Sequence, residues 1–246
     1  MSIQLTLFDE TTELGVDLVN VANTAASRDK WEKQKCRDFG YEQCLNAIFS
    51  GKYGIPLIKA YRKEVPESFV SIGDVYKGKV ISQDCVTGFE YDIVLDKFWE
   101  NPEKHIDVLK NAKCVSEMDF SLYINTPPAL QIANTWRSHV LSFVMQEHGI
   151  PVLPAPTWSY TTSYDYCFDG HEKGGVVLVS TIGTLRNDKS QMYFKEGFFE
   201  MLKRLDPEEV ILYGDVPEKI LKWIPKQLPI KVVGHYRFER ARRYGK

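Results

Sequence analysis

No pair among the five cysteines of this 246-residue chain has CxxC spacing, and five is an odd number. That argues against both a cysteine zinc site and a disulfide framework, and it fits a reducing compartment. There is no apolar run near 18 residues and no secretory leader. The expectation is a soluble, cytoplasmic protein with no membrane partner. Glycine-rich phosphate loops of the mononucleotide and dinucleotide types are missing, as is the GxSxG nucleophile turn, so the sequence points to no cofactor. A formal net charge of −2 is too small, and of the wrong sign, for a general nucleic-acid coat. Internal repeats and low-complexity segments are also lacking, which sets repeat architectures aside.

What is present is ordinary globular material: 43% hydrophobic and 26% charged residues, in a length that suits one large domain or two small ones. Charge is unevenly placed. Residues 231–246 set Lys231, Arg237, Arg240, Arg242, Arg243 and Lys246 against Glu239, a balance of +5 that leaves −7 on the rest. The tail interleaves these cations with Tyr236, Phe238 and Tyr244. Such a composition suits a single nucleic-acid strand, with arginines on phosphates and rings on bases. A solvated terminal charge run needs no partner at all.

At the other end, Gln4-Leu5-Thr6-Leu7-Phe8 resembles the short peptide by which bacterial DNA-metabolism proteins hold the replication sliding clamp. Leu7 and Phe8 would fill an apolar groove, and the Gln4 amide would set the register beside Leu5. The alternation of Ile3, Leu5 and Leu7 equally suits a first β-strand. Residues 9–27 read as a tether, 28–236 as a single α/β domain, and 237–246 as a basic-aromatic tail.

Within the domain a helix is expected over 28–50, then short strands at 55–60, 69–76, 78–82 and 91–95. A helix over 103–111 and a strand within 113–123 follow. A long helix from about Pro127 to His148 should start at a Thr126 cap and stop at Gly149. Strands are expected near 150–153, 164–168, 176–180, 210–213 and 230–235, with helices over 190–205 and 217–224. Gly197, inside a helix, suggests close packing against a neighbour. Strands that read as continuous apolar runs, such as Val176-Val177-Leu178-Val179, imply a mostly parallel sheet with covering helices. An irregular or partial β/α barrel and a doubly wound sheet both fit.

Several phrases from Tyr91 to Asp215 occur in order: Asp96-Lys97-Phe98-Trp99 with Asn101-Pro102, Asp119-Phe120-Ser121-Leu122-Tyr123, Pro128 to Asn134 leading into Arg137-Ser138, Gly149-Ile150-Pro151-Val152 with Pro154 and Trp158, Cys167-Phe168-Asp169-Gly170, Val179-Ser180-Thr181 and Tyr213-Gly214. As a set they resemble a family of phage, prophage and bacterial mobile-element proteins known only as domain of unknown function 4417. The resemblance covers half the chain and implies no activity. The chain departs from the pattern at Ala155-Pro156 and at Ile182-Gly183-Thr184.

Functional groups in parallel α/β folds gather at the C-terminal ends of strands. That rule selects Glu117, Asp119, Ser121, Trp158, Asp165, Asp169, Ser180, Thr181, Tyr213, Asp215 and His235. Asp119 is the candidate general acid/base, Trp158 a stacking wall, and Ser180 and Thr181 hydrogen-bond donors, with Ser121 and Asp169 beside them. Asp119 equally suits a local turn cap. Asp165, Cys167, Asp169 and His171 share one parity, and an extended segment would offer a metal two carboxylates and an imidazole. The ready turn Asp169-Gly170 breaks that line, so the reading taken is no metal. Trp158, Tyr160, Tyr164 and Tyr166 form an aromatic-rich patch, and Asn134 with Arg137 a candidate anion contact on the long helix.

The preferred function is a phage or mobile-element nucleic-acid-associated protein tethered to the sliding clamp and acting in DNA replication or processing. The alternative is a TIM-like hydrolase or transferase acting on a nucleotide or base. A non-catalytic phage inhibitor that occupies the clamp groove is a third possibility.

Overall fold

The computed structural model describes residues 40–79, 81 and 84–234. The peptide at 4–8, the tether and the tail from residue 235 onward lie outside the described residues. A 3₁₀ turn at Tyr41–Cys44 leads to a short antiparallel pair, β1 (Phe49–Ser50) with β2 (Ile55–Pro56). β3 (Phe69–Ser71) runs straight into α1 (Ile72–Val75), whose first turn is capped by Ser71. β4 (Cys85–Gly88) is followed by α2 (Asp92–Glu100) and α3 (Pro102–Leu109). β5 (Cys114–Met118) is followed by α4 (Pro128–Glu147), and β6 (Val152–Leu153) by a 3₁₀ segment at Thr161–Asp165. Then come β7 (Val176–Ser180), α5 (Asp188–Leu205), β8 (Glu209–Tyr213), α6 (Glu218–Leu221) and β9 (Ile230–Val233).

Strands β3 to β9 are all parallel, in two sheets ordered β3-β4-β5-β6 and β7-β8-β9. The Leu178 amide donates to the Pro154 carbonyl across the seam, at 2.8 Å. In a flat sheet of this order β3 and β8 would lie about 24 Å apart, at about 4.8 Å per strand. Instead the Phe69 and Tyr213 rings are 5.8 Å apart, and Lys231 Nζ reaches the Pro66 carbonyl at 2.8 Å. The sheets therefore curl, giving the barrel-like form of the expected α/β fold.

Cys85, Cys114, Leu153, Val176, Leu178, Ile211 and Tyr213 fill the inside of the curl, with Phe69 and Val233 against them. Residues of opposite parity, among them Val70, Val86, Val115 and Val152, pack under α1 to α4. Val177, Val179, Val210 and Leu212 do the same under α5 and α6. Both faces are covered, which is why these strands read as unbroken apolar runs.

Several local expectations are corrected: the strand expected over 69–76 gives way to α1 after Ser71, and residues 41–50 of the helix expected over 28–50 form a 3₁₀ turn and β1. Residues 91–95 begin a helix, because Tyr91 and Ile93 face solvent while Leu95 and Phe98 are buried three apart. Residues 164–168 lie in the 3₁₀ segment and the turns after it, so the supposed shared face of Asp165, Cys167, Asp169 and His171 does not form. Thr126 does not cap α4; Pro127 flanks the helix with no side-chain cap, and the Thr126 carbonyl accepts from Gln131 Nε2 at 2.8 Å. Among the described residues no helix is long and apolar enough to cross a membrane.

Candidate functional site

The C-terminal end of β5 carries a bulge. Val115 and Met118 both pack in the core beneath the helices although they are three residues apart, which strict alternation forbids. The β4–β5 register shifts at this point. The Gly88 amide donates to Ser116 Oγ at 2.8 Å, and Ser116 Oγ donates to the Glu117 carbonyl at 2.9 Å. Bulges of this kind re-aim side chains next to functional sites. Here the displaced residue is Glu117, and Asp119 follows it.

Asp119 is half-buried and receives the Thr157 hydroxyl on Oδ1 at 2.6 Å. Among the described residues its Oδ2 takes no hydrogen bond. Burial pushes the carboxyl up to about 6 against the Thr157 hydrogen bond, and the charges of Asp92 and Glu117 add to the rise. Ser121 is held close by, its amide and hydroxyl both donating to Asp92 Oδ1 (3.0 and 2.8 Å) and its carbonyl accepting from Asn134 Nδ2 (2.8 Å). Ser121 thus ties β5 to the first turn of α2.

Beneath this end lies a buried cluster of Glu117, His139 and His171. His139 comes from the middle of α4 and His171 from the chain leading into β7. Glu117 Oε1 is 3.3 Å from His139 Nε2, and Oε2 is 2.9 Å from His171 Nε2. Oε2 also accepts the Ala155 amide at 3.0 Å. His139 Nδ1 lies 2.9 Å from the Pro56 carbonyl, which can only accept, so this nitrogen carries the proton. Burial pushes His139 down to about 4, with the Glu117 charge opposing and His171 adding. Burial alone would raise Glu117, but His171, His139 and the hydrogen bonds to it hold the group near 2. At neutral pH the cluster is therefore an ionised carboxylate facing an uncharged His139. Gly170 makes room for it: at φ 75° its missing Cβ would lie 2.6 Å from the Pro56 carbonyl and 2.8 Å from His139 Nδ1.

The other residues singled out from the sequence lie elsewhere. Trp158 packs against the core between β7 and α5, its ring tilted against Phe168 and Phe194, with its Nε1 donating to the Tyr193 carbonyl at 3.3 Å. Its ring covers Gly197, the close neighbour that glycine implied. That is a packing position, one residue along the chain from the Thr157 that bonds Asp119. The Asp169 carboxylate lies against the Gly51 backbone, and it shares no hydrogen bond with Asp119. Ser180 Oγ accepts the Ile182 amide, while the buried Thr181 hydroxyl is directed at the carbonyls of Tyr213 and Asp215, clasping β7 to β8. Tyr166 is buried, donating to Gln131 Oε1 at 3.1 Å. Arg137 pairs with Asp96 and lies 3.8 Å over the Phe120 ring, so it is engaged within the fold. His139 was not among the sequence candidates. A lone histidine on the apolar face of a long helix gives no local signal, and its partner Glu117 sits on a different element.

The curled parallel sheet, with carboxylates at the end of β5 and imidazoles behind it, has the layout of an α/β protein whose chemistry sits at the strand ends. Residues 47–231 match the family described as Domain of unknown function (DUF4417), and the chain belongs to it. It is similar to the "Gene 1 protein" of Mycobacterium phage L5, 32% identical over 125 residues, covering 51% of this chain and 55% of that protein. It is also similar to the "Gene 1 protein" of Mycobacterium phage D29, 31% identical over 134 residues, covering 54% and 50% respectively. The chain spans about half the length of these curated relatives. No solved structure matches it.

Proposed function

We propose that the protein is an enzyme with its reaction centre at the C-terminal end of β5, where Asp119 acts as general acid/base in a hydrolysis or group transfer on a nucleotide, base or nucleic-acid strand. One observation carries this reading: Asp119 is fixed by Thr157 through a single oxygen, leaving Oδ2 without a hydrogen bond among the described residues. A positioned carboxylate with one free oxygen at a parallel strand end is what proton transfer to a substrate requires. The alternation of arginines and rings in 237–244 supports a nucleic-acid substrate.

The test is turnover of nucleosides, nucleotides and oligonucleotides by the full chain and by Asp119→Asn. Loss of a positioned acid/base should lower kcat by about 100-fold to 10,000-fold. Equal rates for the two proteins, or no turnover of any of these substrates by the wild type, would remove the assignment.

A second reading concerns address, and the pentapeptide at 4–8 favours it. Binding to the sliding clamp through Leu7 and Phe8 would keep the enzyme beside DNA, and a tether needs only modest affinity. Clamp pull-down should retain the full chain and lose it when both residues become Ala. Unchanged retention defeats this reading and leaves the Asp119 assignment standing.

A further inference from the structure

We propose that Glu117, His139 and His171 bind one divalent transition-metal ion of the zinc class, revising the metal-free reading of the sequence. The inference does not rest on the role given to Asp119.

The orientation of the two imidazoles supplies the argument. Each turns Nδ1 toward a backbone carbonyl, Pro56 at 2.9 Å for His139 and Phe168 at 3.4 Å for His171. Each turns Nε2 toward the same carboxylate, at 3.3 and 2.9 Å. A carbonyl accepts and cannot donate, so His139 Nδ1 carries the proton and its Nε2 lone pair faces the carboxylate, whereas His171 Nε2, 2.9 Å from Glu117 Oε2, donates to it in the metal-free protein and would give up that proton on binding an ion. His139 Nε2 and Glu117 Oε1 thus converge at 3.3 Å with no proton between them, and a cation placed there turns their repulsion into ligation. Metal-bound histidines are oriented in this way, with the outer ring nitrogen donating to a carbonyl or carboxylate.

Burial sharpens the case. The three residues are 3%, 1% and 8% exposed, and His139 Nε2 has no hydrogen-bond partner. A buried charge requires a counter-charge or a metal. The candidate ligand atoms all lie within 4.8 Å of one another. Tetrahedral zinc with bonds near 2.1 Å separates its ligands by about 3.4 Å, close to the 3.3 Å between His139 Nε2 and Glu117 Oε1. Nitrogen and oxygen donors without sulfur suit zinc, cobalt or nickel better than calcium or magnesium. The ion would join β5 to α4 and to the chain leading into β7, binding the two sheets together beside their seam.

The experiment uses the full chain, with metal content measured as purified and after chelation, followed by titration with Co²⁺ and then Zn²⁺. One equivalent of Co²⁺ should bind, with visible bands of low-symmetry four- or five-coordination, and Zn²⁺ should displace it. Nitrogen hyperfine or X-ray absorption data should count two imidazoles. His139→Gln and Glu117→Gln should each weaken binding at least 100-fold, and chelation should lower Tm reversibly in the wild type only. Should a variant fail to fold, the ligand count on the wild type still decides. Three results overturn the proposal: no stoichiometric Co²⁺ uptake, a thiolate-to-cobalt band that places the ion on cysteine, or folded variants that bind like the wild type. The first would leave a proton as the bridge between these side chains.

Discussion

Replacing Gly197 with Ala should destabilise the protein, although the same change in an ordinary helix does the opposite. Gly197 lies inside α5, and intrinsic propensity favours Ala there by about 1 kcal/mol. Its Cβ, however, would fall 2.0 Å from Trp158 Nε1 and 2.2 Å from Cδ1. The indole has little freedom to move away, being held by the Tyr193 carbonyl and packed near Phe168 and Phe194. Displacing it forfeits a hydrogen bond of about 1 kcal/mol and aromatic contacts of about 0.5–1.5 kcal/mol each. These losses exceed the propensity gain, for a net cost of about 1–3 kcal/mol. At about 2–4 °C per kcal/mol for a domain of this size, Tm should fall by roughly 2–12 °C. A thermal melt followed by circular dichroism reads this directly. The double-mutant cycle is sharper: in a Trp158→Ala background the clash is gone, and Gly197→Ala should stabilise by about 1 kcal/mol. A stabilising Gly197→Ala in the wild-type background would refute the packing argument. Trp158 follows Thr157, so the same substitution should disturb the hydroxyl that fixes Asp119.

Gly170→Ala should cost about 2–4 kcal/mol, combining the left-handed backbone at φ 75° with overlap against the Pro56 carbonyl. Co²⁺ uptake and urea unfolding would both report it, and wild-type values for both would show that the cradle is not tight. His105 is packed against Tyr76 at 4.6 Å, and its Nε2 lies 3.1 Å from the Lys97 carbonyl. Burial, helped by Lys104 and Lys97 against that hydrogen bond, lowers its pKa in the folded state. The unfolded chain therefore takes up the proton first, so this contribution is complete above about pH 6.5 and is lost as pH falls toward the folded value. His105→Gln should flatten the acid limb of Tm between pH 7 and 5; parallel profiles would exclude the effect.

The long helix α4, the apolar strand β7 and the α5–β8 succession were legible because each follows from a local pattern: helical spacing, an unbroken β-branched run, or a glycine stop at Gly149. The helix at Asp92–Glu100 was not, because Tyr91, Ile93 and Leu95 mimic strand alternation until Phe98 shows where the buried face lies. Asp119 was visible from its place after an apolar run, and its partner Thr157 was not, being 38 residues away.

Composition and periodicity alone were enough to specify parallel strands under helices, since such patterns depend only on near neighbours. How far the sheet curls, which residue the β5 bulge turns, and the meeting of Glu117 with His139 and His171 belong to the tertiary structure. Glu117 and His171 are 54 residues apart and sit on separate elements. Contacts of that kind are set by packing, and no window along the chain contains them.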